Sequence, residues 1–226
     1  MHHLRPGSGK IRAFRFETTA GEVPALRFLG EASVGLANIA ALFVAVAFTH
    51  THTHTQFLHF APEKCLSTHL RERLGDGYLS VDLTPGAAMR VMDITRLELP
   101  DASVDGILCS HVLEHIPDDR RAMAEMRRVL RPDGWAIVIV PLRGERTIEE
   151  AEASQNPAFS REKDFGQADH VRYYGRDVVE RLSQAGFRVE TFNAVDRFGK
   201  DELAYFGLKN EPAFLCRPSS TDSPSE

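Results

Sequence analysis

Two short stretches carry most of the side chains able to do chemistry. Residues 111–115 read His-Val-Leu-Glu-His, two imidazoles around a carboxylate. Such H-x-x-E-H spacing suits a zinc hydrolase, with His111 and His115 one helical turn apart as ligands and Glu114 as base. That chemistry needs a helix under the motif and a third ligand from elsewhere in the chain. Here the motif follows an apolar strand directly, and Pro117 limits it to a single turn. The zinc hydrolase is therefore the weaker alternative, no metal is expected, and the turn is expected to line a pocket. The second stretch, Asp169 to Tyr174, gathers acid, base, cation and aromatic rings. His170 is a candidate base near neutral pH, and Arg172 a candidate anchor for an anionic substrate. These two are the catalytic candidates.

The elements that must position these groups alternate from Gln56 onward. QFLHFA (56–61) is an apolar run of strand length. Pro62 suits the first position of a helix, and Leu66, Leu70 and Leu74 give it one apolar stripe before Gly75-Asp76-Gly77 stops it. YLSVDL and MRVMDI are strands ending near Asp82 and Asp93, and SVDGILCS (103–110) reads as a strand buried on both faces. Pro117-Asp118-Asp119 opens a helix with Ala122, Met123, Met126, Val129 and Leu130 at helical spacing. Its arginines, Arg120, Arg121, Arg127, Arg128 and Arg131, are expected to form a solvated face rather than a phosphate site. Arg131-Pro132-Asp133-Gly134 predicts a turn before the strand WAIVIVPL. A helix over 177–185 and strands near 187–193 and 213–216 complete the series. The long connection from Leu142 to Gly175 is a candidate lid.

Repeated strand and helix units imply an α/β fold, a doubly wound, mostly parallel sheet with helices on both faces. Ligands of such sheets sit beyond the carboxyl ends of the strands, near the switch in strand order. The residues there are His59, Phe60, Ala61 and Glu63 after the first strand, Asp82 after the second, Asp93 after the third, and Ser110 to His115 after the fourth. Asp82 lies about 20 residues after Ala61, the offset at which an acid meets ribose hydroxyls in dinucleotide folds.

Composition adds exclusions. With a formal net charge of -5, no nucleic acid partner is expected. Three scattered cysteines without a C-x-x-C pair argue against a disulfide framework and suit a reducing compartment, so a cytoplasmic location is expected. Residues 1–55 form an extension of unassigned structure, 56–217 the folded domain, and 218–226 a polar, disordered tail. Within the extension, Ala32–Thr49 is an uncharged run just long enough to span a membrane. It is rich in alanine, so membrane contact or anchoring through 32–49 is the disfavoured alternative to a loosely packed helix. His50, His52 and His54 alternate with threonine. Our hypothesis is that this tract is a translated CA repeat and that the residues before it come from a shifted frame or a mispredicted exon. A peptide from residues 1–48 in an unbroken transcript frame would refute it.

From about Phe57 to Arg217 the chain resembles the class I S-adenosylmethionine-dependent methyltransferases, in the type 11 group. PDASVDGILCSHVLEHIPDDRRAMAEMRRVLRPDGWAIVIVP (100–141) carries the resemblance most specifically, and GERT (144–147) and FGQADHVRYYG (165–175) resemble motifs of the same subgroup. The resemblance implies a seven-stranded Rossmann-like sheet with its last strand antiparallel, S-adenosyl-L-methionine as cofactor and a small or medium-sized methyl acceptor. It also implies that Asp82 takes the ribose hydroxyls, Asp93 and Ile94 border the adenine, Ser110 and His111 lie against the cofactor, and Glu63 meets its amino group. One departure stands out. LHFAPEKC replaces the usual glycine-rich turn, and Ala61 and Pro62 admit a cofactor less freely than glycine. A binding-dead relative acting as an interaction module is the rival class.

Overall fold

In a computed structural model, the structure describes residues 55–193, 195–196, 200–201 and 211–219. The apolar run, the histidines of the Thr-His tract and the tail after Ser219 lie outside the described residues.

The chain runs through β1 (Phe57–Phe60), α1 (Lys64–Leu74), β2 (Tyr78–Asp82), β3 (Arg90–Val91), β4 (Val104–Ser110), α2 (Asp119–Val129) and β5 (Leu130–Ile139). It continues through β6 (Ile148–Glu149), α3 (Glu150–Ala153), α4 (Arg161–Phe165), β7 (Arg172–Tyr173), α5 (Val178–Gln184), β8 (Phe187–Asn193) and β9 (Pro212–Pro218). Seven strands form one sheet in the order β3-β2-β1-β4-β5-β9-β8. The first five are parallel, whereas β9 is antiparallel to both β5 and β8. This is the doubly wound, Rossmann-like sheet expected.

Burial explains the strand choice. All four residues of β1 are buried, and β4 is buried at every position but one, because helices cover a parallel sheet on both faces. The crossover from β1 through α1 leads to β2 on one side, and that from β4 through α2 leads to β5 on the other. Right-handed crossovers in opposite directions put the two helices on opposite faces. The switch in strand order therefore falls between β1 and β4, the place where such sheets take their ligands.

Several boundaries differ from expectation. Pro62 precedes the cap instead of opening α1, because Glu63 is extended (φ -65°, ψ 130°) and helical backbone begins at Lys64. The third strand shrinks to Arg90–Val91, a sheet edge with both side chains exposed. Arg131 to Gly134 does not separate helix from strand as a turn. Val104 pairs with Leu130 and Gly106 with Trp135, so these residues bulge within β5 opposite Asp105, which Arg131 engages. The arginines of α2 are braces rather than a plain solvated face. Arg128 bonds Glu125, Asp101 and the carbonyls of Leu97 and Leu99, Arg127 reaches the Gly186 carbonyl, and Arg120 reaches Gln184.

The segment after β5 folds into an antiparallel hairpin of β6 and β7, with Glu149 opposite Arg172. Among the described residues, no helix is long and apolar enough to cross a membrane.

Candidate functional site

The carboxyl ends of β2, β1 and β4 lie side by side. Phe60 pairs with Val81 on one side and Cys109 on the other. The next residue of each strand, Asp82, Ala61 and Ser110, therefore reaches the same edge of the sheet.

Ala61 turns the chain out of β1 with φ 44°, and its N–H donates to the Val81 carbonyl at 2.9 Å. His111 leaves β4 with φ 52°. Left-handed backbone at non-glycine residues is strained, and here it marks both sides of the switch point. Phe60, named as a cofactor contact, instead buries its ring in the core. Only its backbone faces the strand end.

His59, also named as a cofactor contact, is fully buried, and both its ring nitrogens are taken by protein partners. Nδ1 lies 2.9 Å from the Tyr78 hydroxyl and Nε2 lies 3.0 Å from Oε2 of Glu63. Burial pushes the Tyr78 hydroxyl well up, so it stays protonated and donates to Nδ1. The imidazole then donates from Nε2 to the carboxylate. Burial alone would raise the Glu63 carboxyl, but the hydrogen bond and electrostatic pull of the His59 N–H, with a weaker pull from Ser110, outweigh it and hold the group below its usual range. Glu63 is thus a carboxylate aimed by a buried relay. Ser110 Oγ is buried without a partner at good hydrogen-bond geometry.

Asp82 is half-buried, and its Oδ1 accepts from the Thr84 N–H at 2.7 Å, which orients the carboxylate. Leu83, beside it, is 59% exposed and forms an apolar surface next to an acid. Asp93 is exposed, and its Oδ1 accepts from both the N–H and the hydroxyl of Thr95. Ile94 is buried in the core, so its side chain packs inward rather than bordering a ligand.

His111 lies 3.3 Å from Glu114 and 3.3 Å from Glu211, which stands just before β9. Attraction by these two carboxylates raises its pKa to about 10 against the opposing effect of burial. It is a cation at neutral pH. Leu113–His115 is one 3-10 turn, so His111 and His115 do not share a helix face as the hydrolase motif requires.

Arg172 has a different task from the one expected. It is 3% exposed, with Nη1 donating to the carbonyls of Leu113 and Ile116, Nη2 to that of Pro117, and Nε to Glu149. Four of its five N–H donors are committed to clamping the β6–β7 hairpin onto the turn after β4, and the buried side chain does not present its charge to a substrate anion. Asp119 and Arg181 extend this buried network: Tyr174 donates to Asp119 at 2.6 Å and Arg181 pairs with Glu149 at 2.7 Å. His170 is also buried, with Nδ1 on the Phe165 carbonyl at 2.7 Å and Nε2 unpartnered. The Val171 N–H donates to the Glu114 carbonyl, so the second chemical stretch lies against the first.

Tyr78, Leu83 and Glu211 escaped the sequence reading. Tyr78 opens a strand and is indistinguishable there from a core aromatic, whereas Glu211 reaches His111 from a distant part of the chain. Cys109 and Cys216 are buried free thiols, each pushed up by burial, and take no part.

The Methyltransferase domain family matches residues 64–138. Malonyl-[acyl-carrier protein] O-methyltransferase of Geobacter sulfurreducens is 32% identical over 163 residues, covering 63% of this chain and 58% of that protein. The curated relatives that match are longer, and the aligned part spans 34% to 58% of their lengths. Among solved structures, the Burkholderia thailandensis 1,6-didemethyltoxoflavin-N1-methyltransferase, with bound S-adenosylhomocysteine, superposes with a TM-score of 0.55 at 17% identity, covering 80% of this chain and 77% of that one. A SAM dependent methyltransferase from Archaeoglobus fulgidus gives 0.53 at 13% identity, covering 77% and 90%. Strand order and the matched family agree: residues 64–138 are a Methyltransferase domain of the type 11 group, set on a sheet with the fold of the class I S-adenosylmethionine-dependent methyltransferases.

Proposed function

We propose that the protein is an S-adenosylmethionine-dependent methyltransferase acting on a small or medium-sized acceptor. The observation that carries this is the meeting of Asp82, Ala61, Glu63 and Ser110 at the switch point of the sheet. These residues fit the cofactor. Asp82 has an oriented carboxylate for two vicinal hydroxyls, Glu63 a fixed negative charge for an ammonium group, and Ser110 a buried hydroxyl without a well-placed partner. Leu83 offers an apolar surface beside Asp82 for a flat ring, with Asp93 next along the edge.

When bound, the cofactor supplies a methyl carbon already activated by a sulfonium. The protein then has to align the acceptor and exclude water. The hairpin clamped by Arg172 forms one wall for that purpose. His111, held as a cation, is unsuited to act as base. The relative that acts on malonyl-[acyl-carrier protein] makes a carboxylate one acceptor class to try first.

Transfer of labelled methyl from S-adenosylmethionine to a metabolite extract, with calorimetry of cofactor binding, tests this reading. Micromolar binding and a labelled product are expected. No heat at high micromolar cofactor and no label would favour the non-catalytic relative, whose support is alanine in the strained turn after β1.

A further inference from the structure

We propose that Glu114, His115 and His170 form a binding site for a divalent transition metal, zinc by preference. Each residue offers one ligand atom, and the three atoms lie within 4.8 Å of one another. Both carboxylate oxygens of Glu114 and Nε2 of His170 are buried without a hydrogen-bond partner, on residues 1% and 5% exposed. Burying polar atoms in this way is costly unless something satisfies them.

Hydrogen-bond roles show what is missing. The Phe165 carbonyl can only accept, so Nδ1 of His170 donates to it and Nε2 is the ring atom left to offer a lone pair. A lone pair and a carboxylate then converge in the interior. Acceptors gathered like this call for a cation between them. His111 approaches Glu114 at 3.3 Å but does not meet hydrogen-bond geometry, and it also faces Glu211.

The third ligand and the outer contacts favour a metal over a lone proton. The His115 ring meets that of His170 edge-on, with centroids 4.7 Å apart. Oδ2 of Asp169 lies 3.2 Å from Nδ1 of His115, and a proton donated there leaves the lone pair on Nε2. A carboxylate behind one imidazole and a carbonyl behind the other are the partners that fix ligating histidines. Two imidazoles and a carboxylate suit zinc, and three protein ligands leave a fourth position for water or an acceptor atom. Ligand atoms around tetrahedral zinc lie roughly 3.4 Å apart, so these three need to close by no more than about 1.5 Å. Backbones are already held together by Val171 N–H on the Glu114 carbonyl and by the Arg172 clamp.

This ligand set differs from the one the motif suggested. Glu114 serves as ligand instead of base, His111 is outside the set, and the third ligand comes from the stretch after α4. His170 is then a ligand rather than the general base. The metal site does not depend on methyl transfer.

Zinc titrated by calorimetry into the chelator-stripped full chain, with cobalt absorption as a second readout, tests the site. Because the Thr-His tract could bind zinc itself, the background carries His50→Ala, His52→Ala and His54→Ala. One equivalent should bind, and cobalt should show the intense visible bands of tetrahedral coordination. His170→Ala, His115→Ala and Glu114→Gln should each weaken zinc by at least the roughly 10–100-fold seen when outer-shell partners are lost. His115, whose side chain is 29% exposed, is the substitution that least disturbs the core. Absence of stoichiometric zinc in the tract-free background would overturn the proposal, as would zinc affinity unchanged in the folded ligand variants.

Discussion

Ala61 adopts φ 44° on the exposed turn out of β1, where the methyltransferase family usually has glycine. For an L-residue, left-handed backbone costs roughly 1–2 kcal/mol. Glycine escapes that cost but loses about 0.5–1 kcal/mol more backbone freedom on folding. Ala61→Gly should therefore stabilise the protein by about 0.5–1 kcal/mol, since the exposed methyl contributes no core packing. At about 2–4 °C per kcal/mol for a domain of this size, the melting temperature should rise by about 1–4 °C in a calorimetric scan. Ala102→Gly is the control, because Ala102 has φ 47° but precedes β4, at the opposite end from the site. It should stabilise similarly and leave cofactor affinity alone, whereas Ala61→Gly should keep or tighten cofactor binding. A fall in melting temperature for Ala61→Gly, beside a rise for Ala102→Gly, would refute strain at the first turn.

Asp82→Ala should weaken S-adenosylmethionine by at least about tenfold, as expected for lost charged hydrogen bonds worth about 1.5–3 kcal/mol, with the melting temperature nearly unchanged; calorimetric titration reads this directly. Gly175→Ala should destabilise by about 1–3 kcal/mol in urea unfolding, because a Cβ there would lie 2.3 Å from the Arg146 backbone. Glu63 has a pKa below 4.5 in the folded state, so its contribution is present above pH 4.5 and fades as pH falls through the lowered value. The stability gap between wild type and Glu63→Gln should therefore shrink between pH 7 and pH 3.5 in urea titrations; a widening gap would contradict the relay.

The frame of the site was legible because parallel strands leave continuous apolar runs, and the polar residue ending each run marks the ligand edge. Asp82, Glu63 and Ser110 follow from that rule. Side-chain commitments were not legible. Arg172 has the charge of an anion anchor, yet its partners are carbonyls at Leu113, Ile116 and Pro117, more than fifty residues away, and nothing local announces them. His59 likewise sits at a strand end but turns its ring into the protein toward Tyr78. The third strand failed for another reason: Met92 and Ile94 are buried as a strand's would be, but only Arg90 and Val91 find a neighbour to pair with.

The antiparallel insertion of β9 sets an order of assembly. Among the described residues, β8 has no neighbour in the sheet except β9, and β5 is an open edge until β9 arrives. During synthesis, the preceding part of the sheet thus emerges with an apolar edge exposed, the condition that invites wrong pairing between chains. Glu211 reaches His111 only as that strand docks. The His111–Glu211 contact and closure of the sheet are therefore one late event, and a ribosome-bound chain halted before residue 211 should need shielding by a chaperone.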